Sequence, residues 1–314
     1  MDLVTLDDIR AAALRIAGVV VRTTLLPGRW DADLRLKPES LQPVGSFKLR
    51  GATNAVAQLD PAERSRGVVT HSSGNHGQAL AYAARAAGAP CTVVVPEGAP
   101  AVKVDQIRAL GAEVVLVPPA EREIRAERFV AEQGRTLVPP YDDRRIIAGQ
   151  GTVGLEIVED LPEVEVVLVP VGGGGLASGV ATAVKALRPD VAVIGVEPEF
   201  AADARESLAT GAVVSWDVDR TFRTSADGLR TNLSELTFAH LRERLDAIVT
   251  VTEEEIAAAT ARLVRETRLV VEPSGAVATA ARLFHAAELP AGRTVAVISG
   301  GNLDPARLVQ IVNG

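Results

Sequence analysis

The sequence predicts an α/β protein whose parallel sheets are covered by helices on both faces. Three observations carry that expectation. Short β-branched runs alternate with Ala-rich helical stretches almost from end to end. Three polar, glycine-rich loops each follow one of those runs. With only ten aromatics, the core has to be built from Val, Leu, Ile and Ala, the residues of doubly covered parallel strands.

Taken along the chain, Thr5-x-x-Asp8 reads as a capping box that opens a first helix. Lys48 stands where a loop turns into a helix. Strands are expected at 68–70, 91–95, 113–117, 166–169, 191–196, 247–251 and 294–298. Helices are expected at 76–87, 102–110, 176–187, 253–268 and 274–286, with a second capping box at Thr252-x-x-Glu255. Pro139-Pro140-Tyr141-Asp142-Asp143 is the best place for the chain to cross between domains. At 314 residues the chain has room for two.

The composition excludes several classes. The net charge is −7 and there is no basic block, which argues against nucleic acid or an anionic membrane as partner. With 47% apolar and 23% charged residues, the chain is globular rather than disordered. A single cysteine, Cys91, excludes an intramolecular disulfide and a Cys-based zinc site. The acidic start lacks the features of a secretory signal, so a cytoplasmic enzyme is expected. The longest uncharged stretch, 166–184, contains Pro170 and four consecutive glycines, and reads as strand, loop and helix rather than a membrane span.

The three loops are Ser72-Ser73-Gly74-Asn75-His76-Gly77, Gly172-Gly173-Gly174-Gly175 and Ser299-Gly300-Gly301-Asn302. Ligands of parallel sheets bind beyond the carboxyl ends of strands, so three such loops imply one shared site. The tetraglycine loop lets successive backbone N–H groups approach an anion, and the helix after it adds its positive dipole end; a phosphate is the natural guest. The same stretch fits G-x-G-x-x-A through Gly172, Gly174 and Ala177, with Glu197 about 20 residues on. A nicotinamide-dinucleotide-binding protein is therefore a rival reading, although it leaves Lys48 and the first loop unexplained. Lys48 is one of four lysines. An amine at a partly buried helix start is desolvated and close to the dipole's positive end, and both effects favour the neutral nucleophile.

The Lys48 segment (GSFKLRGA, 45–52), SSGNHGQALAYAA (72–84), AGQGT (148–152), VPVGGGGLASG (169–179), SADGL (225–229), VEPSGA (271–276) and SGGN (299–302) occur in that order. Together they resemble the two-domain fold-type II pyridoxal-phosphate enzymes, which are tryptophan synthase β-like, and within them the threonine/serine dehydratase and serine racemase family. The resemblance covers nearly the whole chain. It implies a large cofactor-binding domain of residues 1–66 and 143–314, and a small mobile substrate domain of residues 67–142. It implies that Lys48 holds pyridoxal 5'-phosphate as a Schiff base, that Gly172, Gly173, Gly174, Gly175 and the Leu176 amide cradle the phosphate, and that Phe47 packs on the ring. Asn75 would bond the ring hydroxyl and Ser299 would face the ring nitrogen. Ser72, Ser73, Gly74, Asn75 and His76 would hold the substrate carboxylate. Lys48 would take the α-proton, and Ser73 would act on the opposite face in racemases. Glu197, Ala201 and Asp203 would bind a divalent cation, Mg, Mn or Ca, through hard oxygens. A homodimer is also implied.

The activity implied is β-elimination of water from L-threonine or L-serine, giving 2-oxobutanoate or pyruvate and ammonia. Serine racemase and 3-hydroxyaspartate dehydratase stay open as alternatives. The chain departs from racemase patterns at Pro139-Pro140-Tyr141 and at Thr231 after Asp227-Gly228-Leu229-Arg230. Ending at Gly314, it is expected to lack a regulatory domain and isoleucine feedback.

Overall fold

A computed structural model describes residues 2–72, 74–99 and 101–313. Its strands are β1 (Leu26–Pro27), β2 (Leu34–Pro38), β3 (Val68–His71), β4 (Cys91–Pro96), β5 (Glu113–Val117), β6 (Thr136–Leu137), β7 (Val166–Pro170), β8 (Ala192–Pro198), β9 (Ala247–Val251) and β10 (Thr294–Ile298). They form two sheets, one in the order β1-β2-β10-β7-β8-β9 and one in the order β5-β4-β3-β6. Every pairing is parallel except that of β1 with β2.

The first sheet is apolar on both faces, as a parallel sheet between helices must be. Val167 and Val169 of β7, with Val295 and Val297 of β10, face Val153, Ile157, Val180 and Val184. These last four come from the helices Arg144–Asp160 and Gly175–Leu187. The alternate residues Val166, Leu168, Ala296 and Ile298 join Ile256, Leu263, Val277 and Ala281 from the helices Glu253–Thr267 and Pro273–Phe284. Both expected capping boxes are formed, at Thr5 with Asp8 and at Thr252 with Glu255.

The second sheet is covered on one face by the helix Asn75–Ala86, through Ala79, Leu80 and Ala83 against Val68, Val93 and Val95. The same core takes in Leu49, Ala52 and Val56 of the helix Lys48–Ala57. That helix also lies against the helix Arg144–Asp160, closely enough that a Cβ on Gly149 would stand 2.6 Å from the Gly51 Cα. Lys48 thereby sits at the seam between the two sheets.

Strands β1, β2 and β6 are not among those expected from the sequence. In β2, Leu34 and Leu36 enter the core, but Lys37 is also fully buried. It belongs to an internal ion cluster. Arg50 donates from Nε and Nη2 to Glu39 at 2.7 and 2.8 Å, and from Nη1 to Glu156 at 2.6 Å. Lys37 Nζ donates to Glu156 at 2.6 Å and to the Thr23 carbonyl at 2.6 Å. Lys37, Glu39 and Arg50 are each 0% exposed. Burial pushes the Glu39 carboxyl up, but the charge and hydrogen bonds of Arg50 outweigh it and hold Glu39 below its usual range.

Candidate active site

The site is assembled from segments that leave the carboxyl ends of β10, β7 and β3. Residues 45–47 run antiparallel to residues 299–301, with Ser46 bridged to Gly300. Phe47 N–H donates to the Ser299 carbonyl at 3.0 Å, and Gly301 N–H to the Gly45 carbonyl at 2.8 Å. This zipper carries Lys48 to the first position of its helix, beside the end of β10.

The Lys48 amine donates to the Pro140 carbonyl at 2.7 Å and lies 5.1 Å from the centre of the Phe47 ring. The side chain keeps some solvent contact, but the amine is deep enough for burial to pull its pKa from 10.5 down to about 8. The residue after Pro140 connects the amine to the tetraglycine loop. A Cβ on Gly173 would lie 2.5 Å from the Tyr141 ring, and one on Gly175 would lie 2.8 Å from Tyr141 Cβ. On the other sides, a Cβ on Gly172 would meet Leu229 at 2.8 Å, and one on Gly174 would meet Leu233 and Thr237 at 2.8 Å. Gly174 also has φ +84°, a conformation that only glycine adopts at little cost. No side chain fits in this loop. Its backbone N–H groups and that of Leu176, at the start of the helix Gly175–Leu187, are suited to cradle an anion.

Asn75 begins the helix Asn75–Ala86. Its Nδ2 donates to Glu272 Oε1 at 2.6 Å, and its Oδ1 accepts from Asn302 Nδ2 at 2.7 Å. Burial, aided by the charge of Asp227, pushes the Glu272 carboxyl up to about 8. Ser299 is buried, and its hydroxyl donates a long 3.2 Å bond to the Ser274 carbonyl, which it can exchange for a better acceptor. Ser72 Oγ accepts from Gly74 N–H at 3.3 Å. His76 is buried and its Nε2 bonds the Val138 carbonyl at 2.9 Å. Burial, together with the charge of nearby Lys48, holds its pKa down to about 3, so the ring is neutral and its Nε2 is the donor. Ser73 lies outside the described residues.

Glu197, next to last in β8, is fully buried, and its oxygens accept N–H groups of Ala204 at 3.0 Å and Arg205 at 2.8 Å. Buried in this way, it is not placed to meet a ribose. Asp203, at the start of the helix Asp203–Thr210, accepts from Leu233 N–H at 3.0 Å. Its Oδ1 is buried with no hydrogen-bond partner. Burial raises the Asp203 carboxyl to about 6, and burial and the Asp203 charge raise Glu197. Ala201 is buried between them in the chain. Arg122 is half-buried and its Nε donates to the Pro119 carbonyl at 2.9 Å.

Phe47, Lys48, Asn75, the four glycines and Ser299 are thus linked by chains of contacts that pass through Pro140 and Tyr141 on one side and through Glu272 and Asn302 on the other. Sequence reasoning missed the contacts of four members: Pro140 and Tyr141, read there as a domain crossing and as a departure from racemase patterns, and Asn302 and Glu272, which tie Asn75 in place. The signal available for the last two was their presence in the SGGN and VEPSGA segments.

These residues fit pyridoxal phosphate. The cradle admits no Cβ and suits a phosphate, the amine is desolvated, and the hydroxyl at the end of β10 is uncharged. Comparison with known proteins agrees. The chain is 43% identical over 319 residues to the L-threonine ammonia-lyase of Thermotoga maritima, covering 99% of this chain and 79% of that protein. It is 39% identical to a serine racemase of Dictyostelium discoideum, covering 100% of this chain and 99% of that one. Among solved structures, a threonine deaminase from T.th. superposes with a TM-score of 0.90 at 46% identity, over 96% of this chain and 99% of that chain. The family model described as pyridoxal-phosphate dependent enzyme matches residues 19–300. That match runs from before the Lys48 segment to Gly300, and the chain belongs to the family of pyridoxal-phosphate-dependent enzymes.

Proposed function

We propose that the protein removes water from L-threonine and L-serine, giving 2-oxobutanoate or pyruvate and ammonia. The observation that carries this reading is the Lys48 amine with a pKa near 8, held by Pro140 at the meeting point of three glycine-rich loops. When bound, pyridoxal phosphate supplies an electron sink that acidifies the α-hydrogen of an amino acid joined to it. Lys48 holds the cofactor at rest and, once free, takes the α-proton as general base. The loop amides of residues 172–176 hold the phosphate, and Phe47 covers the ring. The uncharged hydroxyl of Ser299 would face the ring nitrogen without charging it, which would moderate the sink and suit elimination over deeper carbanion chemistry. Ser72, Ser73 and Gly74, with the N–H groups that open the helix Asn75–Ala86, bind the substrate carboxylate. His76 contributes a backbone N–H there and braces the 138–140 segment through its ring.

In this reading residues 67–142 close over the substrate against residues 1–66 and 143–314. The ion pair of Lys103 with Asp227, at 2.8 Å, spans the two parts. Two copies form a homodimer, as the family resemblance implies, and a cytoplasmic location belongs to the same proposal. A panel of L-threonine, L-serine and 3-hydroxyaspartate, read by 2-oxo acid formation, tests the substrate. Chiral analysis of unreacted serine separates elimination from racemisation. Racemisation outpacing 2-oxo acid formation would refute the dehydratase assignment.

The lowered pKa gives a second test. Only the neutral amine attacks the aldehyde, so the second-order rate of cofactor capture by the apoprotein should rise roughly tenfold between pH 7 and pH 9 and then level off. A rate still climbing steeply past pH 10 would place Lys48 in solvent.

Glu197, Asp203 and the Ala201 carbonyl are proposed to hold Mg, Mn or Ca. The unpartnered Asp203 Oδ1 and the two carboxyls raised by burial, Glu197 also by the Asp203 charge, support this, because a cation would ionise both. Calcium or magnesium in large excess should raise the melting temperature by about 5 °C, reversibly with a chelator. The shift should vanish in Asp203→Asn.

A further inference from the structure

Asn75 faces a difficulty that its own side chain cannot solve. An asparagine amide is nearly symmetric in shape, and a half-turn exchanges its donor for its acceptor. To meet an electron-rich ring hydroxyl as a donor, Asn75 must be held in one of those two states. The structure contains a device that does this. Asn302 Nδ2 donates to the Val44 carbonyl at 2.8 Å and to Asn75 Oδ1 at 2.7 Å. A backbone carbonyl can only accept, so it fixes which end of Asn302 faces it. The second proton of the same nitrogen then points at Asn75 and requires an oxygen there. Asn75 Nδ2 is left on the far side, where one proton goes to Glu272 Oε1 at 2.6 Å and the other is free for the cofactor.

Asn302 is held in turn by the zipper next to Lys48. Gly45 has φ +69°, and a Cβ there would come within 2.5 Å of Asn302 Oδ1. We infer that Asn302 is a positioning residue: through the polarity set by the Val44 carbonyl, it fixes the Asn75 amide with its donor toward the cofactor ring. This inference rests on the proposed placement of Asn75 against the ring hydroxyl.

The test is a double-mutant cycle with Asn302→Asp and Asn75→Ala. Aspartate keeps the shape of Asn302 but can donate to neither the Val44 carbonyl nor Asn75 Oδ1. The readouts are the dissociation constant of pyridoxal phosphate from the apoprotein, by equilibrium dialysis, the visible band of the loaded protein, and the melting temperature of the apoprotein. Asn75→Ala should weaken binding by roughly 10- to 100-fold, the worth of a hydrogen bond to a charged oxygen. Asn302→Asp should weaken it by a similar factor and shift the band in the same direction. In the Asn75→Ala background, Asn302→Asp should add less than about threefold, because its effect passes through Asn75. Asn302→Ala, which removes the relay without adding charge, should fall between the parent and Asn302→Asp. If Asn302→Asp leaves affinity and band unchanged, or if the two losses simply multiply, the inference is wrong while Asn75 keeps its place on the ring. If Asn75→Ala binds the cofactor as tightly as the parent, the placement of Asn75 is wrong and the inference falls with it. If the apoprotein of Asn302→Asp melts far below the parent, Asn302→Ala decides: full affinity in that variant overturns the relay.

Discussion

Lys48→Ala should leave a folded protein that does not turn over threonine. The residue is proposed to serve twice, as the covalent holder of the cofactor and as the base that takes the α-proton. A positioned base alone contributes roughly 10²–10⁴-fold, so a loss of at least about 10³-fold in kcat/KM is expected. The apoprotein should not become less stable through loss of the charge. The folded-state pKa near 8 lies below the ordinary 10.5, so between those values the unfolded chain binds more protons and stability rises with pH. Below pH 8 the buried amine is therefore a cost, which alanine removes. Steady-state kinetics, retention of cofactor on dialysis and thermal melts of the two apoproteins check the three statements. A variant that kept its yellow colour through dialysis and its activity would show that another residue holds the cofactor.

Arg50→Leu should act on stability instead. Arg50 is 0% exposed and bonds both Glu39 and Glu156. Removing one partner of a buried ion cluster leaves the other charges uncompensated, at a cost of about 3–5 kcal/mol. The urea midpoint of the apoprotein should fall by roughly 1–2 M. Arg50→Lys should recover little, because one ammonium cannot replace the fork that bridges two carboxylates. The pH dependence carries a further sign. Glu39 is held below its ordinary 4.5, so its contribution is present above that value and is lost as pH falls through the depressed folded pKa. The parent should lose that contribution on acidification, and Arg50→Leu should not. A midpoint unchanged by Arg50→Leu would mean that the cluster contributes nothing net. Because Arg50 lies two residues beyond Lys48 on the same helix, loss of the cluster should also lower the fraction of chains able to bind cofactor.

Much of this arrangement is legible in the chain itself. Strands β5, β9 and β10 occupy the residues expected of them, because short apolar β-branched runs between helices have few other uses. The tetraglycine loop is legible because neighbours packed close on every side leave only glycine, which shows directly in the sequence. β2 is hidden by Lys37, whose charge reads as solvent-facing until the structure supplies Glu156. β6 is two residues long, and no local pattern can reveal it. The Lys48 partner is a backbone carbonyl, which marks no residue type, so Pro140 could not be singled out. Tyr141 and Asn302 act through contacts with residues far away in the chain, and such contacts leave no periodicity to read.

The central claim is that Lys48 carries pyridoxal phosphate in an enzyme that dehydrates hydroxy-amino acids. The most direct measurement is the visible absorption spectrum of the purified protein before and after addition of L-threonine, with 2-oxobutanoate followed in the same cuvette. A band from the lysine-bound cofactor is expected, shifting on addition while 2-oxobutanoate accumulates, with no such band in Lys48→Ala. A protein that stays colourless after incubation with pyridoxal phosphate, or a band indifferent to every hydroxy-amino acid tried, would contradict the claim.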